Sequence, residues 1–169
     1  MKSYNLKLNV EDIIHVIGIG GIGMSGLAKL INQSKILIQG SDFSNNKQIL
    51  NLKKSGIKVF LNHNICNIKN CRLIVKSSAI KNNNIESKEA FMKSIPIITR
   101  ANLLSAILEY QFNICVVGSH GKTSTTSLIY AMLNIINIDA TIICGGILQS
   151  IKSNVSKGKD VLNIVEADE

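Results

Sequence analysis

The sequence has no tryptophan, one proline and few aromatic residues, which make up 4% of its 169 positions. It has no proline-rich tract, and 46% hydrophobic against 18% charged residues provide for a packed core and exclude a disordered chain. Acidic residues are scarce, 11 against 19 Lys and Arg, for a net charge of +8. Residues 1–107 hold fifteen of the basic and five of the acidic residues, while residues 108–169 carry a small negative excess. No Lys/Arg run with interleaved aromatics occurs, so the basic half reads as scattered solvated lysines with an anionic ligand, not as a nucleic-acid surface. No apolar run reaches membrane-spanning length, and no signal-peptide core opens the chain. The cysteines are four. Cys66 and Cys71 lack a second Cys or His pair to complete a zinc site, and Cys115 and Cys144 lie in apolar runs and read as buried thiols. That usage fits a reduced, cytosolic setting.

What the chain does have is glycine in two loops, each after an apolar strand and before a helix. The first strand is Ile13–Ile17, and it runs into Gly18-Ile19-Gly20-Gly21-Ile22-Gly23-Met24-Ser25-Gly26. Gly18, Gly20 and Gly23 satisfy GxGxxG, and Leu27, Leu30 and Ile31 then give a helical apolar stripe. A strand over Lys35–Gln39 follows, ending at Gly40-Ser41-Asp42. This is a βαβ unit that can hold a nucleotide or diphosphate, with Asp42 about where a ribose-binding carboxylate belongs. The plainer reading of Asp42 is a helix N-cap for the run over 46–55.

Strands and helices keep alternating. Ile57–Phe60 and Leu73–Val75 read as strands, 86–93 as a helix, and Ile95–Ile98 as a short strand that Pro96 marks as an edge or a start. Residues 101–110 read as a helix. Parallel sheets of this kind turn their ligand-facing loops to one edge. The loops at 20–23, Ser41–Asp42 and Ser77–Ser78 are therefore expected to line one crevice. His63 stands in a loop, where a solvent-facing histidine is the ordinary reading and a functional one stays open.

A second strand–loop–helix begins at Phe112, so a domain boundary is expected near residue 108, with domains at 1–108 and 109–169. Asn113-Ile114-Cys115-Val116-Val117 feeds Gly118-Ser119-His120-Gly121-Lys122-Thr123-Ser124, and a helix is expected over 122–136. The spacing is GxxGK[ST], shorter than the common GxxxxGK[ST]. Its chemistry is that of a triphosphate cradle. Glycines admit backbone N–H groups to phosphate oxygens, the helix N-terminus favours an anion, Lys122 can neutralise phosphate charge, and the Thr123 hydroxyl can ligate Mg2+. Ala140–Cys144 and Val161–Val165 read as strands, with 149–160 as a polar loop between them. The second strand ends in Glu166-Ala167-Asp168-Glu169. A strand-end carboxylate suits Mg2+, and Glu166 is nearest the strand, with Asp168 and Glu169 as alternatives. Taken alone, the first loop also fits an NAD(P)-binding oxidoreductase or regulatory module, and the second a nucleotide switch.

Together these stretches resemble the Mur ligase family. His15–Gly26, Gly40–Asp42, Ser77–Ile80, Arg100–Leu104, Gly118–Thr123 and Glu166–Glu169 occur in the family's order, and the first of them resembles the signature of its alanine-adding members. The resemblance implies a three-domain enzyme of α/β class. A Rossmann-like first domain binds a UDP-sugar instead of NAD, a P-loop-type central domain binds ATP and Mg2+, and a third receives the amino acid. The implied reaction is ATP-dependent ligation of L-alanine to UDP-N-acetylmuramate through an acyl phosphate, in the cytoplasmic synthesis of peptidoglycan precursors. Implied site residues are Gly18, Gly20, Gly21, Gly23, Met24, Ser41, Asp42, Ser77 and Ser78 for the UDP-sugar. Gly118, Ser119, His120, Gly121, Lys122, Thr123 and Ser124 are implied for ATP, with Lys122 catalytic and Thr123 and Glu166 on the metal. Ser119, Asn62 and Ile85 depart from the family's Thr, Gly and Pro. The central domain is expected to be incomplete over 109–169, and the 169 residues alone are expected not to ligate alanine.

Overall fold

The computed structural model describes residues 11–109 and 111–167, in two compact units that divide between Ala106 and Ile107. The first unit is a parallel five-stranded sheet with helices between successive strands. Its strands are β1 (Ile13–Ile17), β2 (Ile38–Ser41), β3 (Lys58–Phe60), β4 (Cys71–Lys76) and β5 (Ile97–Thr99), in the order β3-β2-β1-β4-β5. Its helices are α1 (Ile22–Gln33), α2 (Lys47–Lys54), α3 (Ile85–Met92) and α4 (Arg100–Leu108), with a short 3-10 turn at Ile65–Ile68. The order reverses at β1, which pairs with β2 on one side and β4 on the other. Loops after those three strands meet at that switch point, where open α/β sheets seat their ligands.

The sequence explains this layout locally. β1 is buried on both faces, as a central parallel strand covered on both must be, and its side chains are apolar except for His15. Ile14, Val16 and Ile17 are buried, and Ile17 packs with Ile68, Cys71, Ile74 and Ala90. In α1 the buried face is Met24, Leu27, Ala28, Leu30 and Ile31, the three-to-four spacing of an amphipathic helix. Each of those larger aliphatic side chains contributes about 1.5–3 kcal/mol by leaving water. The strand expected over Lys35–Gln39 begins later, at Ile38. Lys35 adopts a left-handed φ of 62° in the turn that ends α1, and Leu37 is half exposed. α2 is capped by the side chain of Asn46, which accepts from the N–H of Ile49 (3.1 Å), so Asp42 is not its N-cap.

The second unit is a four-stranded sheet in the order β6-β9-β7-β8. It comprises β6 (Phe112–Val116), α5 (Lys122–Ile135), β7 (Thr141–Leu148), β8 (Ser153–Ser156) and β9 (Leu162–Glu166). β6, β9 and β7 run parallel, and β8 is antiparallel to β7. β8 corrects the expectation of a plain loop over 149–160. Lys152 turns the chain at φ 50°, and Asn154 and Val155 are then buried against β7. β7 also runs on through Gly145-Gly146 to Leu148. The core gathers Val116, Ala140, Ile142, Cys144, Leu148 and Ile164 under Ile129, Tyr130 and Leu133 of α5. Cys144 is buried as expected, but Cys115 is exposed on β6. Among the described residues no helix is long and apolar enough to cross a membrane.

Candidate functional site

In the first unit the glycine loop is tied to the end of β2 before any ligand is considered. Gly18 and Ile19 donate their N–H groups to the Ser41 carbonyl at 2.8 and 3.2 Å, and Gly20 donates to Asp42 Oδ2 at 2.8 Å. Gly21 donates back to Gly18 at 3.4 Å. The loop can approach Asp42 this closely only because Gly20 has no side chain. A Cβ there would stand 2.9 Å from Asp42 Oδ2 and 3.0 Å from Ser44 Oγ. Asp42 Oδ1 meanwhile accepts from the backbone and the hydroxyl of Ser44, at 2.9 and 2.8 Å. Asp42 therefore acts first as a clasp between loop and strand.

The N–H groups of Gly18 to Gly21 are thus spent on the loop and the end of β2, and helix geometry leaves the N–H groups of Gly23 and Met24, in the first turn of α1, without an intrahelical acceptor. Its N-cap, Gly21, offers no side-chain cap. Arg100, the first residue of α4, lies against the same turn, its Nε 2.8 Å from where a Cβ on Gly23 would be. The Arg100–Leu104 stretch by itself gives Arg100 no site role. Ser77 packs beside Gly18, and Ser78 is exposed next to it. Met24 is buried in the packed face of α1.

Ser41 is the exception among the expected residues. It is fully buried, and its hydroxyl donates to Glu86 Oε2. Glu86, also fully buried, is the centre of a polar cluster that sequence reasoning missed. Its Oε1 accepts from Asn67 Nδ2 (2.7 Å) and from the Asn64 N–H (3.2 Å). Its Oε2 lies 3.0 Å from His63 Nδ1 and 3.5 Å from His15 Nε2. Burial pushes the Glu86 carboxyl up, but hydrogen bonds from His15, Ser41 and Asn67 and the His15 charge outweigh it and hold it at about 2, against an ordinary 4.5. The carboxylate is therefore ionised inside the protein. His63 is not a free surface histidine. Its side chain is 4% exposed, and the Phe43 ring meets it edge-on at 4.4 Å. His63 and Phe43 line an open cleft of about 470 Å³ with Ile80, Asn83 and Ile85.

In the second unit, β6 ends at Val116 and α5 begins at Lys122. Gly121 is the N-cap, in a left-handed conformation (φ 76°) that a side chain would strain, and it offers no side-chain cap. Gly118, Ser119, His120, Gly121 and Ser124 are exposed, and Lys122 folds back so that Nζ donates to the Gly118 carbonyl at 2.6 Å. Because β6 and β9 pair in parallel with Val116 opposite Glu166, the loop and the Glu166 carboxylate emerge side by side. Thr123 Oγ1 lies 3.0 and 3.2 Å from the two oxygens of Glu166, and the Gly145 N–H fixes Oε2 at 2.9 Å. A hydroxyl and a carboxylate set together in this way form a hard oxygen pair, the donor type that suits Mg2+. Asp168 and Glu169 lie outside the described residues.

Comparisons with known proteins identify the family and the fold. The family model described as "Mur ligase family, catalytic domain" matches residues 13–112. The UDP-N-acetylmuramate–L-alanine ligase of Pelagibacter ubique is 47% identical over 164 residues, which is 97% of this chain and 35% of that protein. The ligase of the same name from the Wolbachia of Brugia malayi is 42% identical, over 99% of this chain and 32% of its own length. Among solved structures, the UDP-N-acetylmuramate–alanine ligase of Thermotoga maritima superposes with a TM-score of 0.82 at 30% identity, covering 90% of this chain and 36% of that one. A murein peptide ligase of Psychrobacter arcticus gives a TM-score of 0.85 at 25% identity, over 94% and 38%. The chain thus spans about a third of the length of the curated relatives it matches.

Proposed function

The chain belongs to the Mur ligase family, and on that premise we propose that it supplies the nucleotide-sugar and phosphate-binding parts of an ATP-dependent ligase joining L-alanine to UDP-N-acetylmuramate. The observation that supports this best is the pairing of two different anion sites in one chain. One is a glycine loop clasped by Asp42 and flanked by Arg100, and the other a loop whose Thr123 faces Glu166. An NAD(P)-dependent oxidoreductase has no use for Gly118–Thr123, and a nucleotide switch has none for the first loop.

In the first site, the first-turn N–H groups of α1 and the Arg100 guanidinium face a diphosphate, which a helix N-terminus and a fixed cation both favour. The cleft beside His63, with Phe43, Ile80 and Ile85 as apolar walls and Lys81, Asn83 and Asn84 as polar ones, takes the nucleoside end. In the second site, Lys122 leaves the Gly118 carbonyl and turns to a phosphate oxygen. Its single charge then stabilises the phosphoryl group that ATP gives to the muramate carboxylate, with the helix N-terminus behind it. Thr123 and Glu166 would hold Mg2+, which supplies charge neutralisation and a template for the phosphates when bound. Gly145 keeps Glu166 aimed at that point.

The test is calorimetric titration of the purified chain with UDP-N-acetylmuramate and with NADH, each alone. Binding of the first at micromolar level without measurable binding of the second is the expected result. NADH binding with no response to the nucleotide sugar refutes the proposal.

A further inference from the structure

The outer face of α3 departs from the ordinary polar face of a surface helix. Phe91 is 82% exposed and Met92 70%, successive residues in its last turn, while Glu86, Ser87 and Ala90 of the same helix are buried. With Ile97 of β5 they form an apolar groove of about 470 Å³, which Asn82, Ser87 and Lys88 complete. Large apolar side chains turned together into solvent mark an interaction site. Ser87 gives a second, independent sign. It is buried, and among the described residues its hydroxyl has no hydrogen-bond partner. Native proteins leave few such groups, and each one calls for something that supplies the partner.

The groove borders an open sheet edge. No strand lies beyond β5 in the order β3-β2-β1-β4-β5. The Pro96 carbonyl accepts from the Ile74 N–H at 2.9 Å, so by the alternation of a strand Ile98 turns its N–H and C=O toward β4, and Ile97 turns its own to the open side. A backbone donor and acceptor thus stand beside the groove without a strand to pair them. The charge around the groove is of one sign. Segments 71–85 and 90–108 hold no acidic residue. On α3, Glu86 is buried against His63, and Glu89 is taken up by Lys93 at 2.9 Å. Lys88, at the rim, is exposed and makes no ion pair among the described residues.

We propose that the α3 groove and the β5 edge together form a docking site for an extended, acidic peptide segment of a partner protein. The segment adds antiparallel to β5 and exchanges both backbone hydrogen bonds with Ile97. Its residue opposite Ile97 points to the same face of the sheet as Ile97, so an aliphatic side chain there enters the groove between Phe91 and Met92. Residues two before and two after share that face, and a carboxylate on one of them meets Lys88 and accepts from the Ser87 hydroxyl. A peptide is the occupant because it alone brings a main-chain N–H and C=O at strand spacing together with a side chain for the groove. A second copy of the chain would set one basic rim against another, and like charges oppose that pairing. The groove shares no lining residue with the cleft beside His63, and the proposal does not rest on the nucleotide-sugar reading.

The probe is the end-blocked pentapeptide Asp-Thr-Leu-Thr-Asp, titrated into the whole 15N-labelled chain. The backbone amides of Ser87, Lys88, Phe91, Met92 and Ile97 are expected to shift, and that of His63 to stay in place. Methylation of the leucine nitrogen removes one main-chain hydrogen bond and should weaken binding about tenfold. The peptide Lys-Thr-Leu-Thr-Lys should bind about tenfold more weakly or worse, and Lys88→Glu should narrow that gap by about threefold to tenfold, less at high salt. Ser87→Ala should weaken binding of the acidic peptide about threefold to tenfold while leaving the thermal midpoint unchanged or higher, because it removes a buried polar group that had no partner. The first two comparisons use the unsubstituted chain, so they do not depend on a variant folding. No shift at the named residues overturns the proposal, as does equal binding of the N-methylated peptide or of the lysine peptide. Shifts produced by decanoate, which has an apolar chain and a carboxylate but no peptide group, with none produced by Asp-Thr-Leu-Thr-Asp, make the groove an amphiphile site and overturn the proposal too. A lowered midpoint in Ser87→Ala with unchanged peptide binding overturns the part given to the hydroxyl.

Discussion

Replacing Glu86 by Gln removes the one buried carboxylate that β1, β2, α3 and the turn at Ile65–Ile68 share, and its effect has a pH signature. The folded-state pKa is about 2 against an ordinary 4.5, lowered because the hydrogen bonds and charge around the carboxylate outweigh its burial. A depressed carboxyl stabilises the fold fully above the unfolded value and loses that contribution as pH falls through the folded one. The shift converts to about 3 kcal/mol at 1.36 kcal/mol per unit, an order-of-magnitude value. The two chains should therefore differ in the shape of their stability curves as well as in height. Urea denaturation followed by circular dichroism, between pH 6 and pH 2, reads this directly. The stability advantage of the unsubstituted chain should shrink by about 3 kcal/mol as pH falls from the ordinary Glu value toward 2. Below that window the difference should level off. A difference that stays constant across the window means that Glu86 is not held ionised in the fold.

Other substitutions test the remaining parts. Lys122→Ala should weaken ATP binding about tenfold to a hundredfold, the worth of one charge-assisted contact, and leave nucleotide-sugar binding unchanged in the same titration. Gly20→Ala puts a Cβ 2.9 Å from Asp42 Oδ2, so the clasp must open. A cost of about 1–3 kcal/mol in thermal unfolding and weaker nucleotide-sugar binding are expected. Ile135→Lys, at the end of α5 where Leu128, Met132 and the C-cap Ile136 are also exposed, should raise solubility and move stability by no more than about 0.5 kcal/mol. Alkylation of the native chain should mark Cys66 and Cys115, which are exposed, well before Cys71 and Cys144. Burial pushes the latter two thiols up to about 11 and about 12, Glu86 and Glu166 respectively adding to it, so neither is a thiolate at neutral pH. Mass spectrometry of the labelled peptides gives the order.

The α/β class was legible because its signals are local. Apolar runs, glycine loops and helical stripes sit next to one another in the chain, and each strand–loop–helix announces itself within a short window. Glu166 could be singled out because a strand end is itself a local feature. What stayed hidden depends on pairing across the sheet. Ser41 looked like a loop hydroxyl beside Asp42, yet it is the last residue of β2 and points into the core. Glu86, the second residue of α3, has no local signal that marks it for burial. The parallel register of β1 and β2 sets His15 beside Gln39 and Ile17 beside Ser41, and that of β2 and β3 sets Ser41 beside Phe60, so that His15 and the following His63 loop both reach its carboxylate. The one hint in the sequence is the pair of asparagines, Asn64 and Asn67, that follow His63. β8 was missed for a similar reason. Ser153-Asn154-Val155-Ser156 has little apolar content of its own, and its strand form comes from pairing with β7. Cys115 failed in the opposite sense, since its apolar neighbours suggested burial and β6 leaves it exposed.

The central claim is that the chain carries two separate anion sites with different ligands. Backbone amide shifts of the 15N-labelled chain test it in one experiment. Saturating UDP-N-acetylmuramate should move Gly18 to Met24, Asp42 and Ser77–Ser78, and leave Gly118 to Ser124 in place. Mg2+ with ATP should do the reverse. Nucleotide sugar acting on the 118–124 loop, or both ligands acting on one set of residues, would contradict the account.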